Sequence, residues 1–432
     1  MTKQLRIGAI YMSVLLVFCT AGCTGHTGIQ QPALSPTPYL HLSPGPEQTT
    51  PPLLCRVDCL EYLNLRQAPS PEAPAIGKAV KGAQVEVLDF VERFAHIRME
   101  DGQEGYVLAG YLAPMAPDDM LAGRNIVQPV YAYTHAQMLE DLQALCARYP
   151  QLQVESAGTS RQNRDIPVAI VGDQSAPCHI LVQASIHGRE HMTSLLVMAQ
   201  LERLLQGQPL EGVCFHLFPM ANPDGVHISQ QGWGEGLQQA IFLLDQAHGY
   251  VQPEEEDFYY VQWKANAYGV DLNRNFDAGW ERVNTRPEAS SEGWRGEATQ
   301  SEPETQALVE YTRRYPFCAT ISYHAMGSEI FAQFGPNSPT NEASGQLGQQ
   351  VSALTGYSLE PDSGTSFGGY KDWAISVCGI PSLTIEIGTR SCPLPLREFD
   401  TIWLRNRELL PTVAQWALST TEQGKTFYQS VP

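Results

Sequence analysis

Between about Ala132 and Thr420 short apolar runs alternate with longer stretches of helical period, and that alternation leaves few architectures open to the chain. The runs HILVQASIH, VCFHLFPMAN, CATISYHAM and PSLTIEIGT are nearly continuous in apolar residues, as strands covered on both faces must be. HMTSLLVMAQLERLLQ, SEPETQALVEYTRRY and ASGQLGQQVSALTG read as helices. The pattern predicts an α/β domain over residues 125–420, a mixed and mostly parallel sheet with helices on both faces. No internal repeat is evident.

The chain has 432 residues, 43% of them hydrophobic, enough for two or three domains with a sizeable core. Its formal charge of −19, from 46 acidic against 27 basic side chains, repels polyanions and argues against a nucleic-acid partner. Residues 54–115 differ in character: short β-branched runs (YLNLRQAPS, IGKAVKGAQVEVLDF, FAHIRMEDGQEGYVLAGYLAP) broken by Gly, Pro and Asp-Gly predict a small antiparallel barrel. The "YLNLR", "KG" and "GYV…YL" elements resemble bacterial SH3-like domains. That resemblance implies binding of cell-wall peptides; the alternative is a module that only packs on its neighbour.

Residues 24–53 are rich in Pro, Thr, Ser and Gln and read as a tether. Before them, Lys3 and Arg6 precede an apolar run from Ile7 to Cys19, and Ala21-Gly22 precedes Cys23. This 1–23 segment resembles a bacterial lipoprotein signal, with Thr20 where Leu is commoner. It implies export and acylation of Cys23 on the outer face of the cell membrane; an ordinary signal peptide is the alternative. The run is shorter than the roughly 20 residues a membrane-spanning helix needs. Of ten cysteines, Cys19 and Cys23 belong to this segment. Cys55 and Cys59 are close enough for a local disulfide, whereas Cys146, Cys214 and Cys378 sit in apolar segments as buried thiols.

His187 and Glu190, in SIHGREHMTS, follow the strand HILVQASI, where sites form in open α/β sheets. Two His and one Glu are a recognised donor set for catalytic zinc, with a fourth position left to water. His324, in ISYHAM, supplies the third donor after another apolar strand. His191 is equally near but leaves the helix start in another direction and reads as structural.

Taken in order, H-x-x-E, NPDG (Asn222–Gly225), GVDLNRNF (Gly269–Phe276), His324 and the Glu386 of LTIEIGT resemble the zinc carboxypeptidase family. The resemblance implies one Zn2+ and a set of roles. Asp271 accepts the second ring proton of a zinc-ligating His, read here as His187. Glu386 takes a proton from water and passes it to the leaving nitrogen. Lys264 stands where relatives carry the Arg that polarises the scissile carbonyl, a point charge in place of a fork. Asn273 and Arg274 match the pair that grips a substrate carboxylate. In GTSFGGYKDW, Tyr370 and Lys371 fall in the substrate loop, with Lys371 at the base of the side-chain pocket, where an ammonium suits an anionic group. Gly364 replaces the Tyr of digestive relatives.

NPDGVHISQQG, DFYYVQWKANAYGVDLNRNF, SEPETQAL and CPLPLREFDTIW further resemble the bacterial γ-D-glutamyl-diaminopimelate peptidases, which cut peptidoglycan stem peptides. Tyr268 departs from that pattern, in which Arg is expected. A broader carboxypeptidase acting on exogenous peptides is the nearest alternative, and a non-catalytic wall-binding lipoprotein a third.

Overall fold

The computed structural model describes residues 53–115, 125–208, 210–232 and 236–422. The signal-like segment 1–23 and the proline-rich stretch to Pro52 lie outside the described residues. Among the described residues no helix is long and apolar enough to cross a membrane.

The first sheet contains β1 (Leu53–Val57), β2 (Tyr62–Arg66), β3 (Ala75–Val80), β4 (Gln84–Val91), β5 (Phe94–Met99), β6 (Glu104–Leu108) and β7 (Leu112–Pro114). They pair antiparallel in the order β3-β2-β6-β5-β4-β1-β7. Alternation sends Leu63, Leu65, Val85, Val87, Ile97 and Val107 inward. Cys55 also points into this core while Cys59 lies beyond the strand end; both are free thiols, so the expected local disulfide is not formed.

The second sheet contains β8 (Gln153–Thr159), β9 (Asp165–Gly172), β10 (Cys178–Gln183), β11 (Val213–Phe218), β12 (Phe317–Ala325), β13 (Glu329–Phe331), β14 (Ser358–Glu360) and β15 (Ser382–Ile387). Their order is β14-β13-β15-β12-β10-β11-β9-β8. The central strands β15, β12, β10 and β11 are parallel, and antiparallel pairings at β9, β8 and β13 make the sheet mixed. β10 reads CHILVQ because both faces are covered. Ile180 and Val182 pack with helices Met192–Gln206, Pro339–Thr355 and Leu409–Glu422, while Leu181 packs with Leu308 and Trp373 of helices Pro303–Thr312 and Tyr370–Ser376. The expected helices form where the caps allow: Ser338 accepts from Asn341 N ahead of Pro339, and Gly356 ends that helix left-handed.

The two sheets are joined through specific contacts. Arg93 Nη2 donates to Thr389 O at 2.8 Å, Thr401 Oγ1 to Leu112 O at 2.8 Å, and Arg390 Nη2 to Asp58 O at 3.0 Å while its guanidinium lies 3.5 Å from the Tyr111 ring centre. Gly110 lies so near Thr389 and Glu398 that a Cβ there would strike both side chains.

Candidate metal centre and active site

After β10 the chain turns at Ser185, whose φ is 50°, and the Ser185 hydroxyl fastens the turn to Ser194 Oγ at 2.7 Å and Thr193 Oγ1 at 3.0 Å. This presents His187 and Glu190 beyond the strand's carboxyl end. Asn222, of the NPDG segment, caps helix Pro223–Gln231 and donates to Ile186 O and Ala265 O, both at 3.1 Å. It thereby ties the His187 turn to the Lys264 segment, and Gly188 N completes the tie by donating to Lys264 O at 3.0 Å. A Cβ at Gly188 would strike the Gly225 backbone, so close approach dictates both glycines. Asp224 takes no part in chemistry; its buried carboxylate accepts from Ser160, Gln162 N and Arg164.

The three expected donors meet. His187 Nδ1 lies 2.8 Å from Glu190 Oε1, and His324 Nδ1 lies 3.1 Å from Glu190 Oε2. All three ligand atoms fall within 4.8 Å of one another and all three residues are buried. Ligands about 2.1 Å from a tetrahedral zinc sit roughly 3.4 Å apart, so the set fits the ion. Burial opposes ionisation of Glu190, yet the imidazoles beside it hold its carboxyl well below the usual range. His187 Nε2 faces Asp271 Oδ1 at 3.2 Å, the expected partner for the outer ring nitrogen. Asp271 is fixed in turn by Gly293 N at 3.0 Å and Arg274 Nε at 3.3 Å.

Glu386 stands on β15 directly opposite His324 on β12. Burial raises its pKa, partly offset by the nearby imidazoles and the Lys264 ammonium. The same Lys264 charge is felt at His187 and Asp271, which places this half-buried side chain at the site. Next to Glu386 opens a cavity of about 320 Å³, lined among others by Asn273, Gln333, Glu360, Asp362, Lys371 and Asp372.

Two expectations change. Tyr370 does not reach this cavity: it is fully buried in the core below, with its hydroxyl 3.0 Å from Thr312 Oγ1, because the first turn of its helix points it inward. Lys371 lines the cavity, but its ammonium already donates to Asp372 Oδ1 at 2.5 Å and Gln333 O at 2.8 Å. A substrate anion is therefore not needed to offset its burial. Arg274 lies beside the donors, paired with Asp271 and donating to Asn284 O at 2.6 Å, and Asn273 lines the cavity and accepts from Tyr370 N at 3.0 Å. Tyr268 is half exposed with Arg161 over its ring, so that departure from the family pattern does not touch the cavity.

Sequence reasoning passed over Glu360, Asp362 and Gln333, which lie in loop and strand ends without a motif, and Cys392, half-buried near the donors with Sγ 3.5 Å from Arg189 O. His191 is buried as a neutral ring against Tyr131, in keeping with a structural part.

A buried His-Glu-His set at the carboxyl ends of parallel strands, with a carboxylate opposite, defines a metallopeptidase site. Residues 138–409 match the profile described as zinc carboxypeptidase, and the chain belongs to that family of zinc-dependent peptidases. Residues 61–113 match the bacterial SH3 domain. The chain is 32% identical over 289 residues to "Gamma-D-glutamyl-L-diamino acid endopeptidase 1" of Lysinibacillus sphaericus, covering 63% of this chain and 69% of that protein. Its fold is shared with carboxypeptidase A of Helicoverpa armigera, with a TM-score of 0.53 at 16% identity, covering 86% of this chain and 98% of that one. Bovine thrombin-activatable fibrinolysis inhibitor gives the same TM-score, 0.53, at 18% identity over 69% of this chain and 99% of its own.

Proposed function

We propose that this enzyme hydrolyses the bond between γ-D-glutamate and a diamino acid in peptidoglycan stem peptides. The observation that carries the reading is the cavity beside Glu386, which presents the Lys371–Asp372 ion pair together with the carboxylates of Glu360 and Asp362. Diaminopimelate ends in an amino-acid head with both an ammonium and a carboxylate, and a pocket bearing both signs suits such a head better than an apolar residue. The diamino-acid specificity in the name of the Lysinibacillus relative supports the same direction.

His187, Glu190 and His324 would hold zinc, which when bound supplies Lewis acidity to water and to the scissile carbonyl. Glu386 takes the proton from the attacking water and returns it to the departing nitrogen; its raised pKa suits both halves of that task. Lys264 offsets the charge growing on the carbonyl oxygen. Asp271 holds His187 in one tautomer and, through Arg274, orients the guanidinium for the carboxylate adjoining the cut bond, with Asn273 beside it. The enzyme, on this reading, is exported, lipid-anchored through Cys23 and held near the wall by a tether and an SH3-like domain.

Incubation with muropeptides and with ordinary peptides, read by mass spectrometry, tests the proposal. Release of diaminopimelate-bearing fragments at a rate well above that of unmodified peptides supports it. Equal cleavage of both would mean a broad carboxypeptidase instead.

A further inference from the structure

A second cluster of donor side chains occupies the other end of the same strands. His179 is the second residue of β10, and Cys214 and His216 are the second and fourth of β11. The parallel register sets His179 opposite Cys214 and Leu181 opposite His216, and the two-residue period turns all three side chains to one face. That face is covered by helix Pro303–Thr312 and the aromatic rings that follow it. The three donor atoms lie within 4.8 Å of one another, and no residue of the set is more than 2% exposed.

We propose that His179, Cys214 and His216 form a second metal site, separate from the catalytic donors, that takes a thiophilic ion such as zinc. His179 Nδ1 and His216 Nε2 approach to 2.8 Å and converge on the same space as the sulfur. His216 has its other nitrogen, Nδ1, already secured on the Tyr311 hydroxyl at 2.8 Å. Outer partners of this kind orient histidine ligands around metals. The catalytic set offers only nitrogen and oxygen donors, and the sulfur here favours softer ions.

Proton accounting is simple. The hydrogen between the imidazoles moves to the far nitrogen of the ring that carries it: on His216 from Nε2 to Nδ1, where it faces the Tyr311 oxygen, or on His179 from Nδ1 to Nε2. Cys214 releases its thiol proton to solvent as the metal–sulfur bond forms. The bound ion would cross-link β10 to β11 at the sheet end remote from catalysis, so its role is structural.

Catalytic zinc and this ion are separated by removing the former. In full-length His187→Ala/His324→Ala protein, metal analysis after zinc loading should find one equivalent per chain, against two in the unaltered protein. Cobalt(II) loading of the double variant should give a thiolate-to-cobalt absorption in the near ultraviolet, a band that the all-nitrogen-and-oxygen catalytic set cannot produce. Cys214→Ala in that background should abolish both the equivalent and the band, whereas Cys392→Ser, which removes the thiol nearest the catalytic donors, should leave both. Since Cys214 is fully buried, His179→Gln serves as a second variant, with near-ultraviolet circular dichroism reporting the fold of each. Loss of the equivalent in either folded variant supports the site. One equivalent or fewer in the unaltered protein, no metal in the double variant, or a band that survives in a folded Cys214→Ala or His179→Gln chain overturns it, leaving only a hydrogen-bonded histidine pair.

Discussion

Glu386 and Lys371 line one cavity yet make opposite demands on their surroundings. On the proposed mechanism Glu386 gains and loses a proton, and Glu386→Gln, which keeps the shape, should lower kcat by about 10²–10⁴-fold. Zinc content should stay at the level of the unaltered protein, because His187, Glu190 and His324 are untouched; a near-normal rate would assign the base elsewhere. Lys371 instead forms a buried pair with Asp372, whose own exposure is 2%. Lys371→Met therefore strands a buried carboxylate and should cost about 3–5 kcal/mol of stability by denaturant unfolding. Adding Asp372→Asn should restore most of that. The folded double variant then answers the specificity question: the ratio of kcat/KM for diaminopimelate-containing against apolar-ended peptides should fall at least tenfold, and an unchanged ratio means that Lys371 supports Asp372 without reading substrate.

Helix Pro303–Thr312 carries at its start a carboxyl that burial pushes up to about 7, Glu304, despite hydrogen bonds from Arg161 N at 3.0 Å and Asn266 Nδ2 at 3.3 Å. The nearby Asp224 adds to the rise. An acid whose folded pKa lies above its unfolded value holds its proton more tightly when folded. Its favourable share of stability is complete below about pH 4.5 and is lost as pH climbs to about 7, on the order of 3 kcal/mol in all. Glu304→Gln has no such titration, so its stability relative to the unaltered protein should rise between pH 4.5 and 7.5 in chemical denaturation. Parallel curves for the two proteins would show that Glu304 titrates normally. In the barrel, Gly110 packs against Thr389 and Glu398, in the segment after β15, so closely that there is no room for a Cβ. Gly110→Ala forces a methyl against Thr389 and Glu398 and should destabilise by about 1–3 kcal/mol, read as a lowered unfolding midpoint.

For the whole molecule, the barrel holds the chain three residues beyond Glu386 through Arg93 and Thr389, and it accepts Arg405, buried within the catalytic domain, at the Glu92 carbonyl at 2.8 Å. Deleting residues 53–115 removes these acceptors and donors and uncovers the catalytic-domain surface around Thr401 and Arg390 that Leu112 and Tyr111 cover. The truncated enzyme should melt at lower temperature and lose turnover even on small soluble peptides. Full activity on small peptides with loss only on intact wall would assign the barrel to wall binding alone. Both kinds of evidence bear on a domain whose sequence predicted a barrel but not its docking.

The sequence alone determined the two sheets, the family, and the candidate metal donors His187, Glu190 and His324 that the fold brings together, because buried strands need continuous apolar runs and a donor set leaves His and Glu at strand ends in fixed order. It also placed Asp271 on His187, since that pairing belongs to the same ordered motif. What it could not supply was the direction in which a side chain leaves its helix or the partner it meets there. Tyr370 and Lys371 are adjacent, yet the helical turn sends one into the core and the other to the cavity wall, where Asp372 neutralises it. Glu360, Asp362 and the His179–Cys214–His216 cluster are assembled from segments far apart in the chain, by strand register and loop closure, and carry no local pattern that could announce them. Local periodicity fixes which element a residue occupies; only packing fixes what it faces.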